Sequence, residues 1–388
     1  MKRTLFAAAV CGALSAGAHA QSSVSLYGLI DTGIVYVNNA GGHSNWLQSG
    51  SSTQNTVFGL KGTEDLGGGL HALFRLEQGF NLNNGSEAFA GSMFGSQAWV
   101  GLEHERYGTL TLGRQFDVFN DTVGPLTSGY NTWGGSITAH PFDNDNLAGD
   151  SVVPNNVVKY VSPTLYGATI EAMYGFSNKS AFADNRTYGF GVTYALGAVN
   201  LAAGYLQFDN AGGGNSQTNP NGSVSLGDGS ANVIAKRQRI WGAGGSYTFG
   251  AATVGLVWSH TQIDSLDSLL SLGSGDYIPL GGALRLNNYE ANARYAITPA
   301  WSVSAAYTFT DGTYSDAATG GGSPKWHTAM LQTDYMLSKR TDLYLEGAYQ
   351  RAYGAPVGSP LGHAMLNTLS PSSTGSQVAV LAGLRHQF

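Results

Sequence analysis

Between residues 117 and 154 the chain carries five aspartates, Asp117, Asp121, Asp143, Asp145 and Asp150, and neither lysine nor arginine. Outside that stretch stand Lys61, Arg75, Arg114, Lys159 and Arg385, with Glu77 two positions after Arg75. Opposed charges set across a narrow wet gap create a transverse field. Such a field orders water and orients dipolar solutes, and the balance of signs sets ion preference. The alternative is ordinary solvated loop charge. Arg75 and Glu77 could equally pair with one another, and Arg114 could sit at a mouth. A connection this long without structure is uncommon unless it has a function.

Covalent chemistry finds little support. The chain has no G-x-S-x-G, no H-E-x-x-H and no phosphate-binding glycine loop. Glu103-His104-Glu105 has metal-ligand types but no second ligand cluster. Asp143-Asn144-Asp145-Asn146 resembles a calcium-loop fragment without the later bidentate acid. The expectation is no catalytic residue, no metal and no cofactor.

The elements that must position these charges follow from composition and period. Of 388 residues 55 are glycine, 11% are aromatic and only 11% are charged, the last far below the roughly 25% of a soluble domain. Residues 1–20 read as an export signal, with Lys2 and Arg3, an apolar stretch from Leu5 to Leu14 and Ala18-His19-Ala20 before the cut. Residues 21–388 then form one unit. Without Lys2 and Arg3 seventeen bases oppose 25 acids, a net charge of −8, which argues against a nucleic-acid partner. The single cysteine, Cys11, leaves with the signal. No later run reaches the ~18 apolar residues of a membrane helix.

What recurs instead is a strand of about ten residues alternating apolar with polar or small, as a lipid-facing outside and a wet inside require. Leu70, Ala72, Phe74, Leu76 and Phe80 share one parity; His71, Arg75 and Glu77 share the other. Strands are expected near 23–37, 55–63, 70–83, 94–104, 108–116, 155–162, 167–176, 187–196, 198–208, 236–249, 251–262, 284–297, 300–310, 324–337, 341–352 and 376–388. Short turns alternate with long polar connections at 38–54, 84–93, 117–154, 177–186, 209–235, 263–283, 311–323 and 353–375. Tyr27, Tyr36, Phe80, Trp99, Tyr174, Tyr247, Phe249, Tyr295, Tyr335 and Phe388 are candidates for the interfacial aromatic girdles. The fold expected is all-β, a 16-stranded antiparallel transmembrane barrel whose last strand closes on its first.

Several segments resemble the Gram-negative general porins of the trimeric proteobacterial type. They include Ser25-Leu26-Tyr27-Gly28-Leu29-Ile30-Asp31, the hairpin from Phe58 to Leu70, Gly113-Arg114-Gln115, Lys159-Tyr160-Val161-Ser162-Pro163, the stretch from Tyr335 to Thr341, and Gly383-Leu384-Arg385-His386-Gln387-Phe388. The resemblance implies an outer-membrane homotrimer, passing small hydrophilic solutes and ions, with a third loop folded inward to narrow the pore. Where such porins often carry a pore-wall arginine, this chain has Val57, Ser96 and Val153. The acidic balance and those losses lead us to expect a mild cation preference. Two alternatives stay open. One is a substrate-selective channel, for which Tyr130 and Trp133 offer aromatic surface; the other is a plugged barrel used in adhesion.

Overall fold

The computed structural model describes residues 23–388 apart from 52, 131–132, 149–151, 211–220, 226–230, 272 and 319, so Asp150 and the segment 1–20 lie outside the described residues. Sixteen antiparallel strands form the wall: β1 (Ser23–Ala40), β2 (Val57–Gly67), β3 (Leu70–Gly79), β4 (Gln97–His104), β5 (Gly108–Arg114), β6 (Val157–Val161), β7 (Ala168–Gly175) and β8 (Arg186–Leu196), then β9 (Val199–Asp209), β10 (Val233–Phe249), β11 (Ala252–Ser271), β12 (Ala283–Thr298), β13 (Trp301–Asp316), β14 (Lys325–Ser338), β15 (Thr341–Tyr353) and β16 (Ser376–Gln387). Each pairs with the one before it, and β16 pairs with β1 from Leu29↔Gln387 to Val37↔Ala379. The sheet is therefore a closed up-and-down barrel with no free edge.

Side-chain period sets polarity on the wall. On β15 Glu346 and Gln350 are buried, while Leu343, Leu345 and Tyr349 are exposed. On β12 Asn288 and Glu290 are buried while Tyr289 is exposed. In water this inversion would be costly, at about 25 cal/mol per Å² of apolar surface. In lipid it is the stable arrangement. No helix among the described residues is long and apolar enough to cross a membrane.

Three connections expected to be loops contain strand. His43–Gly50 pairs with β1, Asp276–Pro279 with β11, and Gly320–Gly322 with β13. The wall strands β11 and β13 run past their expected ends, to Ser271 and Asp316. Leu266, Leu269 and Leu270 are buried there, so packing holds a stretch whose polar composition reads as loop. At the other extreme β3 stops at Gly79, because beyond it Phe80 forms only an isolated bridge with Glu87.

The connection between β5 and β6 holds a five-residue helix, α1 (Val118–Thr122). Asp117 caps it, accepting hydrogen bonds from the backbone N–H groups of Phe119 and Asn120 at 2.8 Å each. Phe119, Val118, Val123, Leu126 and Leu147 form one apolar cluster with Ala202, Leu206, Ile240 and Val257 of β9–β11. Glycines on those strands and on β8 make room for it. A Cβ at Gly189, Gly191, Gly204, Gly242 or Gly244 would come within 3.2 Å of Val118, Thr122, Phe119 or Leu126.

Candidate functional site

Residues two apart on a strand share a face, which brings a polar chain together on β1–β4. The Tyr27 hydroxyl donates to Glu77 Oε2 at 2.7 Å and accepts from Arg75 Nε at 2.6 Å. Arg75 Nη2 lies 3.0 Å from the same carboxylate oxygen. Gln97 Nε2 donates to Glu77 Oε1 at 3.2 Å, and Trp99 Nε1 donates to Gln97 at 2.9 Å. Lys61 sits opposite Arg75 in the sheet, and its ammonium and the Arg75 guanidinium each lie 5.1 Å from the Tyr27 ring. Across from this group, Lys159 of β6 donates to Phe116 O at 3.0 Å and to Asp121 Oδ2 at 2.5 Å.

Arg75, Glu77, Trp99, Asp121 and Lys159 line a cavity of about 550 Å³. A second cavity of about 400 Å³ lies toward the long connections, beside Gln48, Asn81, Asn83 and Phe89. Asn55, Ser96 and Phe116 line both. These three residues mark the place where the two spaces meet. Val57 and Ser96, which stand where a wall arginine is common in the resembled family, face the first cavity.

The other described aspartates of the connection, Asp117, Asp143 and Asp145, do not line either cavity. Asp117 is buried as the helix cap, and its second oxygen accepts from Asn146 Nδ2. Asp143 accepts from the backbone N–H of Ala148. Asp145 accepts from Ser259 and Asn288 on the wall, and its Oδ2 lies 2.6 Å from His140 Nδ1. His140 Nε2 reaches Glu290 Oε2 of β12 at 3.1 Å, while Glu290 Oε1 accepts from the Ser128 N–H at 2.7 Å. Burial alone would push the His140 imidazole down, but Asp145 and Glu290 outweigh it and hold it up to about 10. Burial works on Asp145 in the opposite sense; the His140 charge overcomes it and keeps that carboxyl below its ordinary value. Burial raises Asp117 to about 7 against its backbone and Asn146 donors.

Arg114 stands at the long-connection end of β5, donating to Gly95 O at 2.6 Å and Asn155 Oδ1 at 2.7 Å. It is therefore not at the short-turn mouth. Arg385 is buried between Asp342, at 2.8 Å, and Asp334, at 3.4 Å. Among the described residues no group of three His, Cys, Asp or Glu could hold a metal. Tyr27 and Trp99, named above as girdle candidates, belong to the interior instead, because their parity is that of Asp31 and Gln97.

A family model described as Gram-negative porin matches residues 7–355. The chain belongs to the Gram-negative porin family. It is similar to an outer membrane porin protein of Bordetella pertussis, 30% identical with each chain covered in full. It is also similar to outer membrane porin protein 32 of Delftia acidovorans, 29% identical, again covering all of both chains. Among solved structures, the anion-selective porin from Comamonas acidovorans superposes with a TM-score of 0.69 at 25% identity, over 95% of this chain and 100% of that one. The porin is thus an outer-membrane barrel whose role is passive diffusion through a channel.

The charges of the 550 Å³ cavity were readable from residue type. Asn55 and Phe116 are not singled out by residue type, and Tyr130 reads from the sequence only as aromatic surface for a selective channel. Tyr27 had a signal, since it shares the odd parity of Ser25 and Asp31 and stands opposite Gly59 of β2. Phe116 and Asn55 stand at the ends of strands expected at 108–116 and 55–63, but they lie just beyond β5 and β2, where the period of two no longer fixes a side.

Proposed function

We propose that this porin is a general diffusion channel whose passage runs beside β1–β6, with the β5–β6 connection folded inside the barrel and narrowing it. The observation that carries this is the pair of cavities meeting at Asn55, Ser96 and Phe116. The apolar seating of α1 on wall glycines and the bonds from Asp145 and Ser128 to β11 and β12 support a loop fixed in one place.

Arg75, Glu77, Asp121 and Lys159 form the charged lining, with Lys61 beside it over the Tyr27 ring, while Arg114, opposite Ala98 on the outward parity of β5, stands outside it. Within it Arg75 offsets Glu77 and Lys159 offsets Asp121. Lys61 has no acidic partner among the described residues. Asp117, Asp143 and Asp145 are each at most 2% exposed and spend their charge on packing contacts. Of the described aspartates in the connection only Asp121 reaches the passage, so the acid count that suggested a cation preference does not carry over to it. The sign left over is basic, and we assign a mild anion preference, in keeping with the anion-selective porin it resembles. Reversal potential in a salt gradient across a planar bilayer tests this. Lys61→Gln should move it toward cations; a wild-type channel that prefers cations would overturn the assignment.

The export signal ends at Ala20 in this reading, the long connections face the medium, and the apolar mid-wall of β1–β5 and β16, with Leu26, Phe58, Val100, Leu112 and Val380 outward, meets two further copies in a trimer. A solved outer membrane protein of Vibrio cholerae, at 15% identity and TM-score 0.64, is described in a trimer form. Since no cysteine remains after Cys11, Val357→Cys gives a single label site on a fully exposed position. Intact cells should label with a membrane-impermeant maleimide. Labelling only after lysis would reverse the orientation.

A further inference from the structure

The two cavities differ in kind. The first is lined by Arg75, Glu77, Asp121 and Lys159. The second, of about 400 Å³, has no charged residue in its wall. Three connections build it. Gln48 and Asn55 come from the one between β1 and β2, Asn81, Asn83 and Phe89 from that between β3 and β4, and Phe116 from that between β5 and β6. The volume falls within the range of small-ligand sites, about 300–1,000 Å³.

The polar groups of this wall are held in one sense. Asn83 Nδ2 donates to Gln48 O at 2.7 Å and ties the β3–β4 connection to the His43–Gly50 strand. Asn81 Nδ2 donates to Ser86 Oγ at 3.0 Å and to Glu87 O at 3.2 Å, and Gln48 Nε2 donates to Thr32 Oγ1 at 3.3 Å. All three amide nitrogens are engaged. The three amide oxygens accept no hydrogen bond among the described residues, and each keeps two lone pairs. The β3–β4 connection is itself fixed, by the Phe80–Glu87 bridge and by the Ala88 N–H donating to Gly79 O at 2.9 Å. The Arg114 guanidinium lies 5.4 Å from the centre of the Phe89 ring.

Such a wall selects by chemistry. Uncharged acceptors call for O–H or N–H donors. A carboxylate would meet only lone pairs, and an ammonium would find no counter-charge; a charge taken out of water unpaired is costly. Phe89 and Phe116 add flat apolar faces. A ring with hydroxyls around its edge and C–H bonds on its faces satisfies both demands.

We propose that the second cavity binds a neutral sugar of one or two rings and holds it on the long-connection side of the charged passage. The amide oxygens of Gln48, Asn81 and Asn83 accept its hydroxyls, and Phe89 and Phe116 carry its apolar face. The inference rests on the diffusion channel described above and adds a saturable step to it. Ion flow falls while the sugar is bound, because the two cavities meet at Asn55, Ser96 and Phe116.

The experiment is saturation-transfer NMR of maltose with the folded porin in an amine-oxide detergent, which has no sugar head, beside single-channel recording with maltose in the bath. Wild type should give a maltose signal that saturates with concentration. Glucose should compete, whereas glucuronate and glucosamine, rings of the same size that carry charge, should compete far less. Gln48→Leu removes one acceptor, keeps the carbonyl that Asn83 uses, and should weaken maltose binding roughly fivefold. Phe89→Ala should weaken it by a similar factor, and Lys61→Gln, which alters ion preference, should leave it unchanged. Heat-dependent gel mobility confirms that each variant is folded. Absence of a saturable maltose signal would overturn the site, as would equal competition by glucose and glucuronate or wild-type affinity in both Gln48→Leu and Phe89→Ala. The NMR reads binding without conduction. Maltose that binds with these preferences yet leaves the current of an open channel untouched would uphold the site and move the passage away from it.

Discussion

At the scale of residues, the fixed point of the β5–β6 connection is His140, held between Asp145 and Glu290 at 2.6 and 3.1 Å. Removing one member of a buried ionic group leaves the others uncompensated, which costs about 3–5 kcal/mol. His140→Ala should therefore loosen residues 117–148 without opening the wall. Single-channel traces should become noisier, and limited proteolysis should cut within the connection; quiet traces and full protection would count against the clamp. The pH dependence has a definite sign. His140 titrates near 10 in the folded porin instead of 6.5, so its contribution is complete below about 6.5 and is lost as pH rises toward 10. Asp117, raised to about 7 from 3.8, acts in the same direction at lower pH, its contribution fading as pH climbs through about 7. Amide exchange in 117–148, corrected for intrinsic rate, should be faster at pH 9.5 than at pH 5. His140→Gln should flatten the upper part of that rise and Asp117→Asn the lower part. A profile that falls with pH would contradict both assignments.

At the scale of elements, α1 is placed by what the wall lacks. A Cβ on Gly191 would stand 2.5 Å from Thr122 Oγ1 and 3.0 Å from Val118 O. Gly191→Val should thus push the helix off its seat while β8 keeps its pairing, and conductance should rise because the passage widens beside Asp121. Unchanged conductance in a folded variant would mean that the helix does not limit flow. The same element shows where the sequence was legible and where it was not. The wall was readable because a period of two sorts Leu343, Leu345 and Tyr349 from Glu346 and Gln350 without any tertiary knowledge. Its glycines, by contrast, read only as weak strand positions; that five of them form a seat depends on registers across β8–β10 that no local pattern carries. Asp117 before Val118 could have been read as a cap, but a helix of five residues leaves no helical period. Asp143 and Asp145 misled for a related reason. Their charge was visible in the sequence, and their burial against Ala148, Ser259 and Asn288 was not.

At the scale of the whole molecule, everything depends on β1 and β16 meeting, since lipid leaves no solvent for an open edge. The seam ends in a reciprocal pair, with the Gly28 N–H donating to Phe388 O at 3.1 Å and the Phe388 N–H donating to Gly28 O at 3.0 Å. The Phe388 ring lies over Gly28 so closely that a Cβ there would fall 2.3 Å from Cζ. Further along, the seam is braced from inside. Asp31 accepts the Thr53 and Gln54 backbone N–H groups at 2.8 and 2.6 Å and also the Tyr344 hydroxyl, which ties β1 to β15 across β16. Gly28→Leu should leave these inner contacts intact and obstruct only the last pair. The ring would have to swing away, and strand pairing would lose its terminal lock in the slow step where two ends far apart in sequence come together. The expected result is a lower yield of heat-modifiable, folded porin on gels, with normal conductance from the fraction that closes. Gly28→Leu/Phe388→Ala should recover part of that yield, because the obstruction is then gone although the aromatic anchor is lost. Wild-type yield from Gly28→Leu would show that the terminal pair does not govern closure, and failure of the double variant to improve on the single would move the cause from the ring to the glycine itself.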